Sequence, residues 1–102
     1  MQPATLFRAL GDPIRLEMLN RLSLGNARTI SELSDNLDIS RQGARKHLQL
    51  LAEAELVNFS IRGRETHVAL NRKTLEQGKF FIAQMEQAWD ARLEALKQFV
   101  ES

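Results

Sequence analysis

S-R-Q-G-A-R-K-H-L-Q-L-L-A-E-A, Ser40 to Ala54, is the stretch whose reading decides the fold. Ala44, Leu48, Leu51 and Ala52 recur at three- and four-residue spacing, which predicts one helix with those side chains facing a core. Arg41, Gln42, Arg45, Lys46 and Gln49 fall on the other side. Ser40 is the expected N-cap, because its hydroxyl can accept from a backbone N–H that has no partner within the helix. Arginine, glutamine and lysine crowded into the first turns suit contact with base edges and phosphates. The plainer alternative is an amphipathic helix with a solvated basic face, and the surroundings decide between the two.

Immediately upstream, Thr29-Ile30-Ser31-Glu32 matches a capping box and predicts a short helix that ends near Leu37, with Ile30, Leu33 and Leu37 inward. Asp38-Ile39 makes the turn into Ser40. A short helix, a tight turn and a helix with a polar leading edge form a helix-turn-helix. Downstream of Leu56 the pattern changes from helical to alternating. Val57, Phe59 and Ile61 share one face of a strand, Gly63-Arg64 forms a turn, and Thr66, Val68 and Leu70 share a face of the returning strand. The predicted two-stranded hairpin carries Arg62 and Arg64 near its tip, the position of a wing; a solvated turn is the plain alternative.

Farther out, Ala4 to Leu10 reads as a short helix with Leu6, Phe7 and Leu10 on one side and Gly11 as its stop. Asp12-Pro13 opens a second helix, with Ile14, Met18, Leu19 and Leu22 inward and Gly25 at its end. Arg15, Glu17 and Arg21 are expected on its solvated side, with a phosphate contact open for Arg15. From Thr74 to about Glu101 a broad apolar stripe, including Phe81, Met85, Trp89, Leu93 and Leu96, predicts a helix roughly 40 Å long. A chain of this size covers such a stripe poorly, so the expected cover is the same helix of a second copy; the plainer alternative is that the helix folds back on its own core.

Composition sets the limits. A length of 102 residues, 43% hydrophobic and 26% charged, suits a single domain spanning 1–102 with one core. The chain has no cysteine, which excludes disulfides, thiolate metal sites and thiol chemistry. The N-terminus lacks the pattern of a signal peptide and no apolar run is long enough to span a bilayer, so a cytoplasmic protein without a membrane partner is expected. The formal net charge of +1 hides an asymmetry: Arg41 to Lys73 holds seven basic and three acidic residues, and the flanks are net acidic. A basic middle is the usual electrostatic footprint of a nucleic-acid face. The five glycines are scattered, with no phosphate-binding loop and no nucleophile elbow, so no catalytic residue is assigned and no enzyme is expected. His47 and His67, the only histidines, are far apart, so neither metal nor cofactor is expected.

In this order the motifs resemble those of ArsR-type winged helix-turn-helix transcriptional regulators. The resemblance is carried by Ala9-Leu10-Gly11-Asp12-Pro13-Ile14-Arg15-Leu16, Thr29-Ile30-Ser31-Glu32-Leu33, Ser40-Arg41-Gln42 through Lys46-His47-Leu48, Leu50-Leu51, Leu56-Val57, Arg62-Gly63-Arg64 and Leu70-Asn71. The ending, Trp89-Asp90-Ala91-Arg92-Leu93 with Leu96, is similar to a metal-free branch. The cysteine pair of metal-sensing members is missing; the equivalent stretch here is Ser31-Glu32-Leu33-Ser34-Asp35. The resemblance implies a mainly α fold with a small β-hairpin wing and a long C-terminal helix. It also implies a homodimer, joined through the first and last helices (Leu6, Phe7, Leu10, Phe81, Met85, Trp89, Leu93 and Leu96), that represses transcription from double-stranded operator DNA.

If DNA is the ligand, Arg41 and Arg45 are candidates for guanine and Gln42 for adenine. Lys46, Arg62 and Arg64 suit phosphates or the minor groove, and Thr29 and Ser40 sit at helix starts that favour phosphate. His47 is either a DNA contact or a half-buried structural residue. Gly43 costs about 1 kcal/mol against alanine inside a helix; it either lets the backbone approach a base or thymine methyl, or is tolerated drift. The competing function is a winged-helix module for protein contact without DNA. An effector of unknown chemistry, or a protein that sequesters the dimer, stays open.

Overall fold

The computed structural model of the chain describes residues 2–101; the outermost residues of the expected domain, Met1 and Ser102, lie outside them. The order is α1 (Pro3–Leu10), α2 (Pro13–Ser23), β1 (Arg28–Thr29), α3 (Ile30–Ser34), α4 (Arg41–Glu53), β2 (Val57–Arg62), β3 (Glu65–Leu70) and α5 (Arg72–Glu101). The helix-turn-helix, the hairpin and the long last helix stand where the sequence puts them.

Local chemistry sets the boundaries. Asp12 caps α2, its carboxylate accepting from the backbone N–H groups of Ile14 at 2.8 Å and Arg15 at 3.1 Å, and Pro13 takes the first helical position, where no N–H is needed. Thr29 and Glu32 complete the capping box of α3 in both directions. Ser40 caps α4 through the Gly43 N–H at 2.9 Å. The far end of α4 closes with the Leu56 N–H on the Leu51 carbonyl and the Glu55 N–H on that of Ala52, both 2.9 Å, around Glu55 at φ 61°. This is a Schellman closure with glutamate at the left-handed position that glycine usually takes.

Three expectations change. The sheet has three antiparallel strands in the order β1-β3-β2, not the two of the predicted wing. Arg28 pairs with Val68 and Thr29 with His67, and two residues are too few to show alternation in a sequence. Second, α3 stops at Ser34 rather than near Leu37, because the chain turns through positive φ at Asn36 (61°) and Asp38 (54°). Third, Phe59 and Ile61 share the face of buried Val68 but are 42% and 79% exposed, since an open concavity of about 410 Å³ lies between them and Ile30, Arg45, Leu48 and Gln49.

The core lies where α1 to α4 and the sheet meet. Leu6, Met18, Leu22, Leu33, Leu48, Leu51, Leu56 and Val68 are fully buried, each contributing about 1.5–3 kcal/mol. Leu37 and Ile39 of the turn pack on its edge, which fixes α4 relative to α3. By contrast, α5 buries only Thr74 and Gly78. Gly78 is a close-approach glycine: a Cβ there would stand 2.8 Å from the Leu6 side chain. This lets α1 lie against α5, with Phe7 and Phe81 rings 5.9 Å apart.

Candidate nucleic-acid interface

Burial of Ala44, Leu48 and Leu51 turns the opposite face of α4 to solvent, exposing Arg41, Gln42, Arg45, Lys46 and Gln49. The wing turn follows from Gly63. Arg62 pairs with Glu65 across a two-residue loop, and Gly63 adopts φ 65° while Arg64 keeps an ordinary negative φ, the pattern of a type II′ hairpin turn. The tip folds back beside α4. A concavity of about 430 Å³ results, lined by Thr29, Ile30, Ser31, Arg41, Arg45, Arg64, Glu65 and Thr66.

This concavity brings together four of the residues singled out in the sequence: Thr29, Arg41, Arg45 and Arg64. Among the described residues, none of the side chains of Arg41, Gln42, Arg45, Lys46, Arg62 and Arg64 has a hydrogen-bond or ion-pair partner. Glu65 lines the same concavity but makes no ion pair with these arginines, and a guanidinium facing water without a bound carboxylate offers its donors to an incoming anion. Gln42, Lys46 and Arg62 are exposed outside the concavity, on the α4 surface and the outer wing.

The remaining candidates have partners inside the protein. The Thr29 hydroxyl is engaged in the capping box, accepting from the Glu32 N–H at 3.2 Å and donating to its carboxylate at 3.0 Å. The Thr29 backbone N–H, together with that hydroxyl, holds the Glu32 carboxyl below its ordinary 4.5. The Ser40 hydroxyl is engaged by Gly43. Gly43 itself is the third helical residue; a Cβ there would lie 3.2 Å from the Ser40 hydroxyl oxygen, so glycine keeps the cap uncrowded. His47 is half-buried on the flank of α4, its Nδ1 at 3.2 Å from Arg15 Nη1 and 3.9 Å from Asp12 Oδ1.

Two arginines expected on a solvated face of α2 prove to be internal ties. Arg21 donates through Nη1 to the carbonyls of Glu32 (3.1 Å), Leu33 (3.2 Å) and Asp35 (2.8 Å), closing the C-terminal end of α3. Arg15 donates through Nε to the Ala9 carbonyl at 2.7 Å and through Nη2 to that of Arg8 at 3.2 Å. Sequence reasoning missed these ties because the acceptors are backbone carbonyls, which every sequence contains; Arg21 also donates through Nε to the Glu17 carboxylate at 3.1 Å, a pair within α2 itself. It also missed the packing role of Gly78, for which a glycine inside an apolar helical stripe was the available signal.

The comparisons agree with this geometry. A family model described as a helix-turn-helix domain matches residues 10–58. An uncharacterized HTH-type transcriptional regulator of Bacillus subtilis, YuzN, is 35% identical over 70% of this chain and 84% of that protein. The transcriptional repressor SdpR of the same organism is 28% identical over 70% of this chain and 78% of its own length. Among solved structures, an ArsR-like transcriptional regulator from Rhodococcus sp. RHA1 superimposes with a TM-score of 0.83 at 33% identity, covering 95% of this chain and 91% of that one. No helix among the described residues is long and apolar enough to cross a membrane, and no group of three or more histidine, cysteine or acidic side chains there could hold a metal ion. Fold, motif order and relatives converge: the chain belongs to the ArsR family of winged helix-turn-helix transcriptional regulators.

Proposed function

We propose that this protein is a homodimeric repressor acting in the cytoplasm, and that it occupies an inverted-repeat operator. One observation carries the DNA reading: five unpartnered cationic side chains, Arg41, Arg45, Lys46, Arg62 and Arg64, on the recognition helix and wing of one surface. Helix α4 enters the major groove, with Arg41 and Arg45 reading guanine and Gln42 adenine. Lys46, Arg62 and Arg64 hold the backbone or enter the minor groove. Thr29, Ser40 and Gly43 serve the interface through the helix starts they shape, and His47 from the flank of α4.

The shape supports the dimer. The radius of gyration is 18.2 Å, against about 13 Å for a compact domain of this length, because α5 projects beyond the body. Met85, Trp89, Leu93 and Leu96 are each about half exposed or more. An apolar groove of about 390 Å³ between α1 and α5, lined by Leu6, Phe7, Leu10 and Ile82, continues that stripe. We assign 1–102 as one DNA-binding domain whose last helix, about 74–101, pairs with its copy. Repression fits the B. subtilis relative named as a repressor.

Selection of duplexes from a random pool tests the whole reading. The expected product is a palindrome with half-sites about 34–36 Å apart, and light scattering should give the mass of two chains. A pool that yields no enriched duplex would leave protein contact as the function of the winged helix.

A further inference from the structure

The α1–α2 corner holds a guanidinium that joins three helices. Arg15 lies on α2, yet its side chain is only 12% exposed. Nε and Nη2 donate to the carbonyls of Ala9 and Arg8. Both belong to the last turn of α1, where a cation is favoured, and the Arg8 carbonyl accepts from the Gly11 N–H as well, at 3.1 Å. The remaining nitrogen, Nη1, reaches His47 on α4 at 3.2 Å. Asp12, which caps α2, stands beside both, 4.0 Å from Arg15 Nη1 and 3.9 Å from His47 Nδ1.

The chemistry of this contact is directional. Arginine has no acceptor, so His47 Nδ1 must accept and the neutral ring must carry its proton on Nε2. Arg15 therefore fixes both the orientation and the tautomer of a side chain on the recognition helix. The same guanidinium is anchored on α1, the helix that packs on α5 and borders the apolar groove. A rotation of α1 moves the Ala9 and Arg8 carbonyls, and Arg15 must follow or break a bond.

We propose that Arg15 is a positioning residue that sets the pose of α4 for DNA through His47, and so couples the α1–α5 face to the recognition helix. The inference rests on the DNA reading above. Lysine at this position keeps a charge beside Asp12 but cannot bridge two carbonyls and an imidazole with a rigid fork.

The test measures fluorescence anisotropy of the intact protein on a duplex selected by the wild type, for Arg15→Lys, His47→Ala and the double variant. Thermal melting and long-range nitrogen NMR of the imidazole accompany each measurement. Each single variant should bind about tenfold more weakly and the double no worse than either, because both remove one contact. The wild-type ring should report the Nε2–H tautomer, and Arg15→Lys should lose that preference. If Arg15→Lys does not fold, His47→Ala carries the binding arm alone, since it leaves the bonds from Arg15 to α1 intact. Losses that multiply, unchanged affinity in the folded single variants, or an Nδ1–H tautomer in the wild type overturn the proposal. A wild type that selects no duplex overturns the DNA reading and this inference with it.

Discussion

The arginines of α2 and those of α4 and the wing are one residue type in two opposite situations. Arg15 and Arg21 lie along backbone carbonyls and, between them, reach Ala9, Arg8, Glu32, Leu33 and Asp35. Arg41, Arg45, Arg62 and Arg64 are exposed and have no partner among the described residues. The first pair closes helix ends and holds the helix-turn-helix together; the second set leaves its donors to solvent, and the proposed function gives them to phosphate and guanine. Charge in a sequence therefore marks an interface only after the arginines that serve the scaffold have been set aside.

The largest expected effect separates the two sets most sharply. Replacing both Arg41 and Arg45 with alanine should weaken binding to a selected operator by roughly 100-fold or more, at about 1–3 kcal/mol per lost base contact, with an unchanged melting temperature. Arg45→Ala alone should also reduce discrimination between operator and random duplex. A double variant that melts early but binds normally once folded would place these arginines with the scaffold.

Arg21→Ala should do the reverse. It frees the Glu32, Leu33 and Asp35 carbonyls, and hydrogen bonds to a charged group contribute about 1.5–3 kcal/mol each at most. Because Nη1 is shared among three acceptors and water reaches two of them, a loss of about 2 kcal/mol in urea unfolding is expected. Operator affinity of the fraction that remains folded should stay the same. Ser40→Ala lies between the sets: losing the cap of α4 should cost about 1 kcal/mol, and binding should fall to the extent that the first turn, with Arg41 and Gln42, frays.

These contrasts also explain what the sequence made legible. Periodicity of Ala44, Leu48 and Leu51, the capping box at Thr29 and Glu32, and the alternation of Val57, Phe59 and Ile61 are local patterns, and each fixes an element by itself. The exposure of Arg45 was legible too, because its own helix buries the opposite face. The backbone ties of Arg15 and Arg21 were not, since the carbonyls they reach lie six to fourteen residues away in the chain and carry no signal in a sequence; the Arg21 pair with Glu17 at 3.1 Å, four residues back, is by contrast a local helical spacing. β1 was hidden for a related reason: two residues become a strand only because His67 and Val68 lie alongside. Gly78 was visible as a glycine in a helix, but the Leu6 side chain that requires it lies on α1.

A smaller effect tests the wing. Arg64→Ala should weaken all duplexes by a similar factor and lower the slope of log affinity against log salt by about one unit. Loss confined to the selected operator would instead make Arg64 a base reader.

The smallest effect concerns the counter-charge that distinguishes Arg15 from Arg45. The Asp12 carboxyl is held below its ordinary 3.8, first by the Arg15 backbone N–H, then, against some burial cost, by the Ile14 N–H and the positive charge of Arg15. A carboxyl with a lowered folded value binds fewer protons folded than unfolded. Its stabilising contribution is therefore complete above 3.8 and is lost as pH falls through the folded value. Asn at this position keeps an acceptor for the α2 cap but carries no charge to lose. The melting temperature of Asp12→Asn should thus lie below wild type near about pH 6, and the gap should narrow below about pH 4 and close near about pH 2. A gap of constant width across that range would mean that Asp12 acts as a neutral cap alone, and that the Arg15 guanidinium is held by the Ala9 and Arg8 carbonyls without its help.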